Sequence, residues 1–198
     1  MITVLGISGS MRYPSHTHTL LDIALAAARD SGARVELLDL RTLDLPIYTP
    51  GLSSMPPVVT EIRDMVNDAH AYIIGTPEYH GNLSGALKNL FDYLYPEVNG
   101  KLFGCVVATG NDVGTTSLVA LREIIASLHA WVLPYGVIAA LPDFDTAGHL
   151  TNNRIRDRLL RLGRDVTIYG NLLFERYARD SILGGGPNLG FAPWHARE

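Results

Sequence analysis

Five short apolar runs recur along the chain: Thr3 to Ile7, Val35 to Leu40, Ala71 to Gly75, Phe103 to Ala108 and Tyr135 to Leu141. Each is nearly continuous in valine, isoleucine, leucine and alanine. Strands covered on both faces have this pattern, whereas half-exposed strands alternate apolar with polar positions. Between the runs the period becomes helical. Leu20, Ala24, Ala27 and Ala28 form one stripe, widened by Leu21 and Leu25 and stopped by Ser31-Gly32. Val58, Ile62, Met65, Val66 and Ala69 form a second, after a Pro56-Pro57 pair suited to a first helical turn. Ser84 opens a third helix carrying Leu87, Leu90, Phe91 and Leu94, and Pro96 ends it. Leu118, Leu121, Ile124, Ile125 and Leu128 mark a fourth, and Ile155 through Tyr177 a long fifth.

Strand and helix thus alternate five times, which predicts a doubly wound α/β fold with right-handed crossovers and helices on both faces. In such sheets ligands sit outside the carboxyl ends of the strands. The loops after the first, third and fourth strands are therefore where chemistry is expected. The predicted domain spans residues 1–180, followed by a tail, 181–198, that holds Gly184-Gly185-Gly186-Pro187, Phe191 and Trp194. The Pro46 to Pro57 segment also breaks the compact rhythm.

Composition narrows the function classes. The 198 residues suit one domain, and 47% hydrophobic with 18% charged residues is a globular balance. A net charge of −4 gives no electrostatic reason to expect nucleic acid or an anionic membrane as partner. Cys105 is the single cysteine, so no internal disulfide forms, and its place within an apolar run reads as core. The seven histidines show no H-E-x-x-H pattern, and no metal site is expected. No apolar run approaches a membrane span and no leader precedes the first strand, so a cytoplasmic protein is expected.

The first loop reads Ser8-Gly9-Ser10-Met11-Arg12-Tyr13-Pro14-Ser15-His16-Thr17 and runs into a helix. A helix N-terminus with free N–H groups attracts phosphate, and the hydroxyls and Arg12 strengthen that attraction. Neither the P-loop pattern nor G-x-G-x-x-G is present. The third-strand loop, Gly75 to Gly85, is rich in Pro, Gly and Asn and carries Tyr79 and His80. Its backbone amides could meet the polar edge of a flat heterocycle, with Pro77 and Tyr79 as apolar surface. Glu78 and His80 are a candidate acid/base pair, and Ser84 a candidate helix cap. The fourth loop, Thr109-Gly110-Asn111-Asp112-Val113-Gly114-Thr115-Thr116, again sets glycines and hydroxyls between strand and helix.

With these motifs in view the chain resembles the NAD(P)H-dependent FMN reductase family of the flavodoxin-like fold. Its phosphate loop is similar to Gly9 through Thr17, and its flavin loop to Thr76 through Asn89. The likeness spans roughly residues 1–175. It implies a five-stranded parallel sheet in order 2-1-3-4-5. It also implies that Ser10, Arg12, Ser15 and Thr17, with His16 in the same loop, hold the FMN phosphate. Pro77, Glu78, Tyr79, His80, Gly81 and Asn82 would line the isoalloxazine, largely through backbone atoms. Thr109, Gly110, Asn111 and Gly114 would close the pyrimidine side. Relatives commonly have asparagine at Thr17 and paired glycines at Gly114-Thr115. The implied reaction is ping-pong transfer of two electrons from NADPH or NADH through FMN to a small-molecule acceptor: free FMN, a quinone, an azo compound or a metal oxyanion. No catalytic side chain is named, because the flavin carries the chemistry. A homodimer or homotetramer is implied, with Phe91, Tyr93, Tyr95 and Leu128 as candidate contact residues.

Two other readings stand beside this one. A flavodoxin-type electron carrier would bind FMN and be reduced by a partner protein; Arg12 and the modest net charge count against it. A Rossmann-type NAD enzyme would use Asp39 as its ribose ligand. The arginines at 154, 156, 158, 161 and 164 read as a solvated, partly paired helix face, or as a site for the 2′-phosphate of NADPH.

Overall fold

The computed structural model describes residues 1–51, 53–110 and 114–182. Strands β1 (Thr3–Ser8), β2 (Arg34–Asp39), β3 (Ala71–Pro77) and β4 (Leu102–Thr109) alternate with α1 (His16–Asp30), α2 (Pro57–Asp68), α3 (Gly85–Tyr93) and α4 (Thr115–Ser127). β5 (Trp131–Val132), β6 (Val137–Ala140) and α5 (Asn153–Ile182) follow. The strands are parallel, in the order β2-β1-β3-β4-β5, with β6 also paired to β4. This is the predicted 2-1-3-4-5 arrangement.

Two apolar clusters sandwich the sheet. On one face Leu20, Leu21 and Ala24 of α1 meet Leu159, Leu162 and Val166 of α5 over Val4, Ile73 and Val106. On the other, Ile62 and Val66 of α2, Leu87 and Leu90 of α3, and Leu121 and Ile125 of α4 cover Leu5, Ile74 and Val107. Every residue of β3 and β4 is buried, which explains their unbroken apolar runs. α1 starts on a Ser15 cap, its hydroxyl accepting from His18 N, and ends at Ser31 before Gly32 at φ +92. α2 begins at Pro57, whose missing N–H belongs among the unbonded donors of a first turn.

The fifth strand differs from the expected Tyr135 to Leu141 run. Its place beside β4 is shared by two short pieces, β5 and β6. Leu133 N still donates to Phe103 O at 2.9 Å, and the ladder then breaks. Pro134 has no N–H to offer, and Gly136 lies so close to β4 that a Cβ there would sit 3.1 Å from Cys105 O. The last helix is longer than the pattern from Ile155 to Tyr177 and runs to Ile182, so residues 181 and 182 of the expected tail are helical. Residues 183–198, with Phe191 and Trp194, lie outside the described residues. Phe91 and Tyr93, expected as subunit contacts, are 3% and 4% exposed and belong to the interior; Tyr95 is 72% exposed. Among the described residues no helix is long and apolar enough to cross a membrane.

Candidate active site

Because the sheet is parallel, the loops leaving β1, β3 and β4 emerge along one edge. The first is tied to the third at two points. Gly9 N donates to Gly75 O at 2.8 Å, and Ser84 Oγ donates to Gly9 O at 2.6 Å. The same Ser84 hydroxyl accepts from Leu87 N at 3.2 Å, so one side chain caps α3 and anchors the phosphate-type loop. Close approach makes this feasible: a Cβ on Gly9 would lie 2.8 Å from the Leu87 Cβ and 3.1 Å from Ser84 Oγ.

Within the first loop, Ser10 is buried and its hydroxyl accepts from Arg12 N at 3.3 Å, while the Arg12 side chain is exposed. The Tyr13-Pro14 peptide is cis. Ser15 spends its hydroxyl on the helix cap. Thr17, in the first turn of α1, is 1% exposed, and its buried Oγ1 has no hydrogen-bond partner. Ser8 Oγ, at the end of β1, is likewise buried and unpartnered. A buried hydroxyl without a partner costs about 1–3 kcal/mol, which natural folds tolerate chiefly where the group serves a ligand or water. The His16 ring stacks on Phe144, with centroids 4.1 Å apart and planes at 13°. Burial and then the Arg12 charge hold its pKa below the ordinary histidine value.

Asp39, at the end of β2, is fully engaged. It accepts from Arg41 N at 3.1 Å and Arg41 Nη2 at 2.8 Å. His18 Nε2 lies 3.3 Å away, within ion-pair reach but without hydrogen-bond alignment. The Arg41 guanidinium sits 5.0 Å over the Tyr13 ring and reaches Arg12 O. An acid already paired with Arg41 and capping the turn after β2 is poorly placed to hold a ribose, which counts against the Rossmann-type reading.

The third loop begins by continuing the sheet, with Glu78 N donating to Ala108 O at 2.8 Å. Tyr79 and Asn82 then exchange backbone hydrogen bonds of 2.9 and 3.1 Å across a two-residue turn. His80 at φ 52 and Gly81 at φ 74 are both left-handed, the backbone of a type I′ hairpin. Tyr79 and His80 are presented to solvent at the sheet edge, and Pro77 is buried at the end of β3. The Glu78 carboxylate does not face a histidine. It accepts from Thr109 Oγ1 (3.4 Å), Thr116 Oγ1 (3.2 Å), Ser117 N (3.3 Å) and Ser117 Oγ (2.8 Å). The structure therefore does not support Glu78 and His80 as an acid/base pair.

In the fourth loop Gly110 is open: nothing would lie within 4 Å of a Cβ, and its carbonyl accepts from Leu141 N at 3.0 Å. Gly114 precedes α4 in the left-handed region at φ 65, where a Cβ would also strike Ile138. Asn111, assigned to this loop's contacts, lies outside the described residues.

Pattern reading missed three participants: Ser84 as an anchor of the first loop, Phe144 as the stacking partner of His16, and Leu141, 51% exposed beside Gly110. Only Ser84 had a local signal, as a helix cap. Two of the α5 arginines are spent on carbonyls: Arg156 on Leu150 O at 3.0 Å and Arg158 on Gly136 O at 2.9 Å.

The arrangement suits a phosphorylated ligand with a planar head. A helix N-terminus with one exposed arginine and an unpartnered hydroxyl stands beside two glycine-containing loops. Comparison with known proteins agrees. The model of the NADPH-dependent FMN reductase family matches residues 2–143. An NAD(P)H:quinone oxidoreductase of Solanum tuberosum is 31% identical over 172 residues, which cover 80% of this chain and 88% of the relative. An NAD(P)H-dependent FMN reductase of Pseudomonas aeruginosa is 31% identical over 79% of this chain and 88% of its own length. Among solved structures, the apo form of an NADH:FMN oxidoreductase superposes with a TM-score of 0.74 at 21% identity, over 85% of this chain and 90% of that one, which speaks to fold. On the family match and these relatives together, the chain belongs to the NADPH-dependent FMN reductase family.

Proposed function

We propose that this chain transfers two electrons from NAD(P)H through FMN to a small-molecule acceptor in a ping-pong cycle. Membership of the family makes it an FMN-dependent NAD(P)H oxidoreductase. The relatives' names extend to quinone oxidoreductases and azoreductases, so a quinone or an azo compound is the acceptor class proposed here. FMN, when bound, would supply the two-electron redox chemistry between nicotinamide and acceptor.

The observation that carries the reading is the convergence of three loops at one sheet edge. One of them holds the buried, unpartnered Thr17 hydroxyl at a helix N-terminus beside Arg12. Ser10, Arg12, Thr17 and the first-turn amides of α1 would hold the phosphate, with Ser15 shaping that turn and His16 packed alongside. Pro77, Glu78, Tyr79, His80, Gly81 and Asn82 would border the isoalloxazine, and Thr109, Gly110 and Gly114 its pyrimidine side. The protein's contribution is binding and orientation. Residues 1–180 would act as one flavodoxin-like unit, in the cytoplasm, as a homodimer or homotetramer.

An anaerobic NADPH titration of the protein supplemented with FMN, followed by visible absorbance, tests this directly. Stoichiometric bleaching in one two-electron step is expected. FMN that binds but stays oxidised would replace the reductase with an electron carrier reduced by a partner. Failure to bind FMN would leave only the fold in common.

A further inference from the structure

Among the described residues α4 has no cap from its own N-terminal turn. Its N-cap is Gly114, which has no side chain to offer, and no side-chain cap bond comes from that position. The cap is brought instead from another loop. Glu78, 39 residues earlier, places one carboxylate oxygen 3.3 Å from Ser117 N and 2.8 Å from Ser117 Oγ. The same oxygen lies 3.2 Å from Thr116 Oγ1, while the other accepts from Thr109 Oγ1. Ser117 is fully buried, so its hydroxyl and amide find their acceptor in this carboxylate. A negative group at a helix N-terminus is favoured by the partial positive charge there. Hydrogen bonds to a charged acceptor are also stronger than neutral ones.

From this geometry we infer that Glu78 is a positioning residue: its carboxylate locks the loop after β3 to the first turn of α4 and so sets the width of the cleft between them. Glu78 is the joint between the two loops that would border the planar part of FMN. The backbone on either side shows why a joint is needed. Just beyond Glu78 the chain enters the tight Tyr79–Asn82 hairpin, closed by two backbone bonds of its own, with Leu83 N donating to Asn82 Oδ1 at its exit. On the other side of the carboxylate, Gly114 holds a left-handed turn with no side chain to stiffen it. A carboxylate spanning the gap immobilises both at once. The role does not require proton transfer, which separates it from an acid/base function.

The inference concerning flavin rests on the proposed function, and its test keeps the two apart. Hydrogen exchange of the Ser117 amide is measured in the FMN-free protein. FMN and riboflavin affinities are measured by fluorescence quenching for wild type, Glu78→Ala, Glu78→Gln and Arg12→Ala. Glu78→Ala should speed Ser117 exchange by about tenfold to a hundredfold. It should weaken FMN and riboflavin by the same factor, about tenfold, because the cleft and not the phosphate site has changed. Glu78→Gln keeps an acceptor oxygen for Ser117 and should restore most of both quantities. Arg12→Ala should weaken FMN and spare riboflavin. Unchanged Ser117 exchange in Glu78→Ala, or a loss confined to FMN, would overturn the joint while leaving the reductase reading intact. A wild-type protein that binds neither flavin would instead overturn that reading and the flavin role built on it; the exchange measurement would still decide whether Glu78 joins the loops.

Discussion

Gly9→Ala puts the close packing beneath the first loop to a quantitative test. A methyl group added there would lie 2.8 Å from the Leu87 Cβ and 3.1 Å from both Leu87 Cδ2 and Ser84 Oγ. Carbon atoms pack at roughly 3.5–4.0 Å, so the nearest pair is about 1 Å too close. Both members of that pair are Cβ atoms, fixed by backbone, so no rotamer change relieves the clash. The loop must move away from α3, stretching the Ser84–Gly9 bond of 2.6 Å and the Gly9–Gly75 bond of 2.8 Å. Overpacking of this kind costs about 1–3 kcal/mol. In a domain of this size each kcal/mol lowers Tm by about 2–4 °C, so scanning calorimetry should record a fall of about 2–12 °C. The displaced loop carries Ser10 and Arg12, and FMN affinity by fluorescence quenching should drop about tenfold or more. Gly85→Ala is the control: nothing lies within 4 Å of a Cβ there, and the position opens α3. It should be neutral or stabilising by up to about 1 kcal/mol. A Gly9→Ala protein with wild-type Tm and wild-type FMN affinity would refute the reasoning.

Two further outcomes follow from other parts of the structure. Arg12→Ala would remove the charge-assisted hydrogen bonds proposed between this side chain and the FMN phosphate, worth about 1.5–3 kcal/mol, so FMN affinity should fall roughly tenfold to a hundredfold in a titration. Lys101 is buried with its ammonium on the carbonyl oxygens of Val66 and Asn67, and desolvation lowers its pKa to about 8. In the unfolded chain it titrates near 10.4, so between about 8 and 10.4 the unfolded state holds the extra proton and stability rises with pH. This component amounts to on the order of 3 kcal/mol at most. Urea unfolding of Lys101→Met between pH 8 and 10 should show the rise missing.

The strands at the centre of the sheet were legible because burial on both faces leaves an unbroken apolar run; β3 and β4 each fall within two residues of their expected limits. The fifth position was misread where tertiary geometry overrides local pattern. Trp131–Val132 is too short to stand out, and the break at Pro134 depends on how closely Gly136 meets β4. The three loops announced themselves through Gly, Pro and hydroxyl residues, which act locally through turns and caps. Their couplings did not. The Ser84–Gly9 bond spans 75 positions, and the Glu78–Ser117 bonds span 39. No period or motif carries a pairing over such distances, so Glu78 read as a candidate acid until its partners were in place.

The broken fifth strand also bears on how this protein keeps its sheet to itself. An exposed strand edge is a row of unpaired donors and acceptors on which another chain can build. Here the outer margin beyond β4 consists of a two-residue and a four-residue piece with a proline between them. An incoming strand would find no register it could follow for more than four residues before meeting a position without an N–H. The opposite margin, β2, carries the Arg34–Glu36 ion pair along its length. Irregularity at one border and charge at the other both work against sheet-to-sheet aggregation.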